Sequence, residues 1–263
     1  MRSNPLVIET LTGLTRGGKA QLDYLPLLLL QAAVLFLWWP GSGVVELLEF
    51  QHGPRTLAAV VMAVGFTTAY AALRAGNEEI LLPGERGLRE WALATPLRPG
   101  RILRGYVLGD LLHSAHMLAL SSPLLLMAFT ISGGEWAALG WCLAATLAQA
   151  LFYRLCGAIT RLTLGRHRGV SFYAVRAILL LVYVPVGLAA PVASHLALTY
   201  RALGEDVATR PAIAAMPDPV VFLVIYAGLS AAAALAVHRL LARERNGMKD
   251  LRDGAGVGEA LTG

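Results

Sequence analysis

An all-α membrane protein with six transmembrane helices is predicted by three features of the 263-residue sequence: its composition, the spacing of its uncharged runs and the placement of its arginines. Hydrophobic residues make up 56% of the chain and charged residues 15%, with a mean hydropathy of +0.60. Soluble domains carry about 25% charged residues, so composition alone selects the membrane class. A spanning helix needs about 20 mostly apolar residues. Uncharged runs of suitable length are Tyr24–Val45, Thr56–Leu73, Leu111–Gly134, Trp136–Tyr153, Ala177–Tyr200 and Pro219–His238.

The third run is predicted to begin earlier, near Tyr106, which takes Asp110 into the membrane. The second and fourth are short, so their flanking arginines are expected to snorkel to the surface. Six spans put both termini on one side. Of the 22 Lys and Arg residues, only Arg55, Arg201 and Arg210 then fall on the opposite side. The positive-inside rule makes the arginine-rich side cytoplasmic. Tyr24, Tyr106, Tyr153 and Tyr173 would form one aromatic belt, and Trp38, Trp39, Trp136 and Tyr200 the other. Pro185 and Pro191 should kink the fifth span.

Residues 4–20 read as an amphipathic helix lying in the interface. Asn4 suits the N-cap and Pro5 the first helical position. Val7, Leu11 and Leu14 share a face, and Arg16 and Lys19 can reach headgroups. The chain thus divides into an N-terminal interfacial helix (1–22), a transmembrane domain (23–242) and a cytoplasmic tail (243–263). The transmembrane domain includes a cytoplasmic loop at 74–104 and an outer loop at 201–218.

Several chemistries are disfavoured. Gly13–Ala20, "GLTRGGKA", falls one residue short of a phosphate-binding loop. Ala20 has no hydroxyl for a magnesium ion and no apolar strand precedes Gly13. The net charge of +5 follows membrane side rather than forming a basic helix with interleaved aromatics, so nucleic acid is not an expected partner. Cys142 and Cys156, if on one helix, lie about 21 Å apart and cannot bridge within it.

The sharpest local signal is "GERGLREWALATPLRPGRI", Gly84–Ile102. Residues 85–94 can form about ten residues of helix, with Glu85 and Arg89 paired at i, i+4. Pro96 ends that helix by restricting Thr95, and Pro99 suits the first turn of the next. The result is a short surface helix joined by a stiff hinge to the third span. A solvated loop that only obeys the charge rule is the plainer reading of the same residues.

This segment resembles the corresponding loop of ABC-2 type transporter permeases, which reads Glu-Arg-Gly-Thr-Leu-Glu, a short apolar run, then Thr-Pro-Leu-Ser-Pro. Glu85, Arg86, Gly87, Glu90, Thr95, Pro96, Leu97 and Pro99 fall on those positions, while Leu88 and Arg89 depart from them. The resemblance implies the membrane subunit of an exporter, without an ATPase site of its own. Two permease copies or homologues would pair, and separate ATP-binding subunits would bind ATP and magnesium. Glu85, Arg86, Gly87, Glu90, Trp91, Thr95 and Pro96 would couple this chain to the ATPase. The location implied is a bacterial cytoplasmic membrane.

Ionisable residues inside a span cost about 2.5–3.5 kcal/mol each at its centre and need partners. Asp110, His113 and His116 recur at i, i+3, i+6 in the third span, and Asp110 can pair with His113, Arg104 or Arg154. Together with His195, near the outer end of the fifth span, they are candidates for a transport pathway. A polar stripe near the headgroups or in a subunit interface is the plainer reading. Two histidines and a carboxylate can ligate a metal, but their spacing covers more than one helix face, and no metal is expected. Glu46, Glu49 and His52 repeat the pattern on the outer side, where a solvated interfacial helix explains them.

Two other classes stand beside the permease. A membrane-embedded, metal-dependent hydrolase is suggested by the weak similarity of "NEEILLPGERG", Asn77–Gly87, to the Glu-Glu-x-x-x-Arg element of CAAX-type proteases, although Pro83 replaces the arginine. A non-catalytic scaffold subunit of a membrane complex is the other.

Overall fold

The computed structural model describes residues 4–15, 18–39, 55–80, 86–132, 135–164, 168–183, 190–203 and 219–260. Among them all regular structure is helical. The helices are α1 (Pro5–Thr15), α2 (Gly18–Leu37), α3 (Arg55–Gly76), α4 (Leu88–Ala94), α5 (Pro99–Ser132), α6 (Trp136–Leu164), α7 (Arg168–Ile178), α8 (His195–Leu203) and α9 (Pro219–Ala260). A π turn, Leu179–Tyr183, continues α7, and a single 3₁₀ turn, Pro191–Ala193, precedes α8.

Among the described residues four helices are long and apolar enough to cross a membrane: Thr56–Gly76, Pro99–Ser132, Trp136–Leu164 and Pro219–Gly247. They correspond to the second, third, fourth and sixth predicted runs. The first run is helical to Leu37, with Trp38 and Trp39 beyond the helix end and the remainder outside the described residues. The fifth is not one helix. Its described parts are the end of α7, the π turn, the 3₁₀ turn and α8, with residues 184–189 outside the description. Gly13–Thr15 and Gly18–Ala20 are helical, so no strand leads into the sequence that approaches a phosphate loop.

α3 is the innermost helix: 72% of its apolar window is buried, against 28% for α9. It packs on α2, α5, α6 and α8, while α9 lies outside against α6. α3 and α6 cross where both helices carry glycine. A Cβ at Gly76 would lie 2.1 Å from the Arg154 carbonyl oxygen, and one at Gly157 2.2 Å from that of Leu73. The two backbones are therefore in direct contact, as small residues permit within membranes. At the far end Leu57, Val61, Val64, Leu125, Phe129 and Leu139 fill the space between α3, α5 and α6.

α1 sits on the first turns of α5. Asn4 caps it as predicted, its Oδ1 accepting from the Leu6 N–H at 3.2 Å. Asn4 Nδ2 donates to the Arg101 carbonyl at 2.9 Å. The face turned to the bundle is Leu6, Thr10 and Gly13, while Ile8 and Leu11 remain exposed. Asn4 and Thr10 settle into the gaps left by Gly105 and Gly109 of α5, and that fit selects the face turned inward.

Some side chains are not where the belts and snorkelling place them. Trp38, Trp136 and Tyr173 are exposed, but Tyr24 and Tyr153 are fully buried. Arg154 is 4% exposed and points inward. Cys142 and Cys156 share α6 as free thiols.

Candidate functional site: a clasped surface helix above a buried charge cluster

α4 spans seven residues and starts at Leu88, three residues later than predicted. Glu85, and with it the proposed pairing to Arg89, lies outside the described residues. The late start has a local cause. Gly87 is extended (φ −63°, ψ 152°) and acts as the N-cap, but has no side chain to bond the first turn. That role passes to two carboxylates from elsewhere. Glu9 of α1 accepts from the Arg86 N–H at 2.7 Å and from Trp91 Nε1–H at 2.8 Å. Glu78, just past α3, accepts from the Leu88 N–H at 2.7 Å through Oε1 and from Arg161 Nε at 2.8 Å through Oε2.

Glu78 adopts φ 61°, the only non-glycine residue with a positive φ among those described. It occupies the left-handed position that ends α3: its N–H bonds the Ala75 carbonyl at 3.1 Å and the Glu79 N–H bonds that of Arg74 at 2.9 Å. Glycine is the usual residue there, and a side chain costs roughly 1–2 kcal/mol. The side chain explains the choice, since a carboxylate at that place caps α4. The fit is close: a Cβ at Gly87 would come within 2.6 Å of Glu78 Oε1.

The inner face of α4, Leu88, Trp91 and Ala92, is buried against α5 and α9. Arg86 lies over the Trp91 ring, 5.6 Å from its centroid. Arg89 bonds Glu244 of α9 at 3.0 Å, and Arg245 donates to the Leu97 carbonyl at 2.7 Å. Thr95 is the C-cap, extended as Pro96 requires, with its hydroxyl on the Trp91 carbonyl at 2.6 Å. Glu90, Leu93, Ala94 and Pro96 form an exposed outer edge.

Beside this helix, Glu79 receives Arg74 at 3.2 Å, Arg176 at 3.0 Å and Asn77 at 2.9 Å. Burial pushes its carboxyl pKa up, but the bonds from Arg176, Asn77 and Arg74 and the charge of Arg176 outweigh it and hold the group below its ordinary 4.5. Ser171 of α7 donates to Asn77 at 2.6 Å, tying α7 to the same knot.

Deeper in the bundle is a second set of polar groups. Arg154 of α6 lies 3.5 Å from Asp110 and donates to His113 Nδ1 at 3.0 Å, both on α5. Its guanidinium also stands over the Tyr106 ring at 4.9 Å. Arginine only donates, so Nδ1 accepts and His113 carries its proton on Nε2. Nε2 then donates to the Tyr24 hydroxyl of α2. The imidazole is neutral in this arrangement, and the cluster pairs one positive with one negative charge. Asp110, His113, Arg154 and Tyr24 are all at least 96% buried.

The structure thus brings Asp110 and His113 together with Arg154, the third of the partners proposed for Asp110. His116 is half-buried and makes no hydrogen bond among the described residues. No group of three His, Cys, Asp or Glu side chains converges among the described residues. His195 stands apart. It is 1% exposed, within 2.9 Å of Thr146 Oγ1, and its ring covers Gly65. It is a packed interior residue rather than the lining of an open path. Glu46, Glu49, His52, Glu205 and Asp206 lie outside the described residues.

The two polar layers meet. A cavity of about 20 Å³ is lined by Glu9, Glu78 and Trp91 around α4 and by Tyr106 and Arg154 below. It has room for about one water molecule.

Sequence reasoning missed Glu9, Glu78, Glu244 and Arg245 as partners of α4. Glu9 left a trace, being the only acidic residue in positions 1–22. In the sequence Glu78 belongs only to a weak hydrolase-like motif, and both it and Glu79 are taken up by arginines. Comparison with family models, with curated proteins and with solved structures finds no match to this chain.

Proposed function

We propose that this chain is the membrane subunit of an ABC transporter of the ABC-2 type. It moves a substrate across the bacterial cytoplasmic membrane, outward, on ATP hydrolysis by a separate subunit. The arginine-rich end is cytoplasmic, and two permease copies or homologues pair to complete the transporter. In this reading the first and fifth predicted runs also cross the membrane, the fifth as a broken span, giving six.

One observation carries the reading: α4 is a short surface helix joined to α1, α3, α5 and α9 and open on its outer edge. Glu9 links it to α1, Glu78 to α3, and Glu244 and Arg245 to α9. The hinge Pro96–Pro99 joins it to α5. An isolated solvated loop has no need of four such attachments. A partner seated on Glu90, Leu93 and Ala94 would displace α4 as a unit, and the carboxylates would pass that displacement to α1 and α3. Trp91 and Arg154 line one cavity, so the movement reaches the charge cluster that joins α2, α5 and α6.

The test is co-expression with a candidate ATP-binding subunit from the same genome and reconstitution in proteoliposomes. Glu90→Arg and Leu93→Arg leave the inner face of α4 intact. They should abolish stimulation of ATP hydrolysis by the membrane subunit while insertion and stability stay unchanged. Full stimulation in both variants would overturn the reading.

A further inference from the structure

The outer helix α9 leaves a groove between itself, α5 and α6. It is about 520 Å³ and almost wholly apolar, with Val107 on one side, Leu151 and Leu155 at the back and Ala227, Ala231 and Ala234 on the other. Ligand clefts are commonly about 300–1,000 Å³. Ala227, Ala231 and Ala234 recur at helical spacing, so small side chains keep the groove open along nearly two turns.

Two further features say what fills it. Ser230 lines the groove, is 7% exposed, and its hydroxyl has no hydrogen-bond partner among the described residues. A buried hydroxyl in that state calls for an acceptor from outside the chain. The groove also ends beside an arginine. Arg104 lies one turn from Val107 toward the arginine-rich end. It is exposed and forms no ion pair among the described residues. The nearby acid on α9, Glu244, is occupied by Arg89.

We propose that this groove is a binding site for one anionic glycerolipid of the arginine-rich leaflet. Its phosphate rests on Arg104, its glycerol backbone lies beside Ala234 and Ala231, an ester carbonyl accepts from Ser230, and the acyl chain continues over Ala227. Arginine near an anionic leaflet binds phosphate through charge-assisted hydrogen bonds. The site stands apart from the transport reading, since an enzyme or a scaffold with this bundle would hold the lipid equally.

The experiment reconstitutes the full chain in nanodiscs of equal phosphatidylglycerol and phosphatidylcholine, extracts it into mild detergent and counts retained lipid by native mass spectrometry. The wild type should retain one phosphatidylglycerol per chain in preference to phosphatidylcholine. Arg104→Glu should lower that preference by roughly fivefold. Ala231→Trp, or the milder Ala231→Leu if the tryptophan variant fails to fold, should lose the retained lipid with helicity unchanged. Equal retention of the two lipids by the wild type would overturn the proposal. So would unchanged retention on filling the groove, or a lipid-free dimer cross-linked through cysteine at Ala231, which would give the groove to a second copy.

Discussion

Replacing Glu78 by glycine and by alanine separates two opposing contributions at the clasp. Glu78 holds a left-handed backbone that disfavours any side chain, while its carboxylate caps Leu88 and pairs with Arg161. Both substitutions remove the cap, worth about 1 kcal/mol, and the charge-assisted bond from Arg161, worth about 1.5–3 kcal/mol. Its side chain is only 10% exposed, so solvent screens that bond little. Glycine relieves the backbone strain of roughly 1–2 kcal/mol, offset in part by its larger unfolded-state entropy of about 0.4–1 kcal/mol. Alanine relieves nothing. Glu78→Ala should therefore cost about 3 kcal/mol, and Glu78→Gly about 1 kcal/mol less. Unfolding in mixed detergent micelles, followed by circular dichroism, measures both. Equal destabilisation, or a glycine variant worse than the alanine one, would refute the account of Glu78 as a strained cap.

Other outcomes follow from the same geometry. Arg154→Met leaves Asp110 without its buried counter-charge and should cost about 3–5 kcal/mol, most of it recovered by adding Asp110→Leu; a double variant no better than the single one would argue against the pair. Gly157→Ala forces a Cβ within 2.2 Å of the Leu73 carbonyl and should lower the melting temperature clearly, whereas Gly140→Ala, with nothing within 4 Å, should be neutral or slightly stabilising. Glu79 has a folded pKa below 4.5, so its contribution is complete above that pH and disappears as pH falls through the lowered value. An acid titration of stability should lose part of its slope below pH 4.5 in Glu79→Gln. Trp91→Phe keeps the ring but removes the bond to Glu9, and should loosen α4 as read by faster amide exchange at Leu88 and Trp91.

Much of the helical frame was legible because local rules set it. Pro96 and Pro99 bound α4 and α5, Asn4 and Pro5 start α1, and apolar runs locate α3, α5, α6 and α9. The fifth run shows that apolar length does not report backbone continuity, since its π and 3₁₀ turns leave hydropathy unaltered. The site was less legible because its bonds span long separations. Glu9 meets Trp91, Glu78 meets Arg161, and Arg89 finds Glu244 on the last helix. Tyr24 belongs to the surface by the habit of its residue type, and Arg154 can either snorkel or pair with Asp110. Both are drawn inward by partners a turn apart on α5, Asp110 and His113.

The bare contact between Gly76 and Gly157 makes the α3–α6 crossing a fulcrum. With no side chains between the backbones, the two helices can rotate about that point without repacking. It lies at the α4 end, so the arms are unequal. α3 extends 21 residues from Gly76 to Arg55, about 31 Å. A tilt of about ten degrees would then carry the far end roughly 5 Å, while the residues bonded to α4 barely move. A small push at the clasp would thereby be geared into a wide excursion at the opposite face.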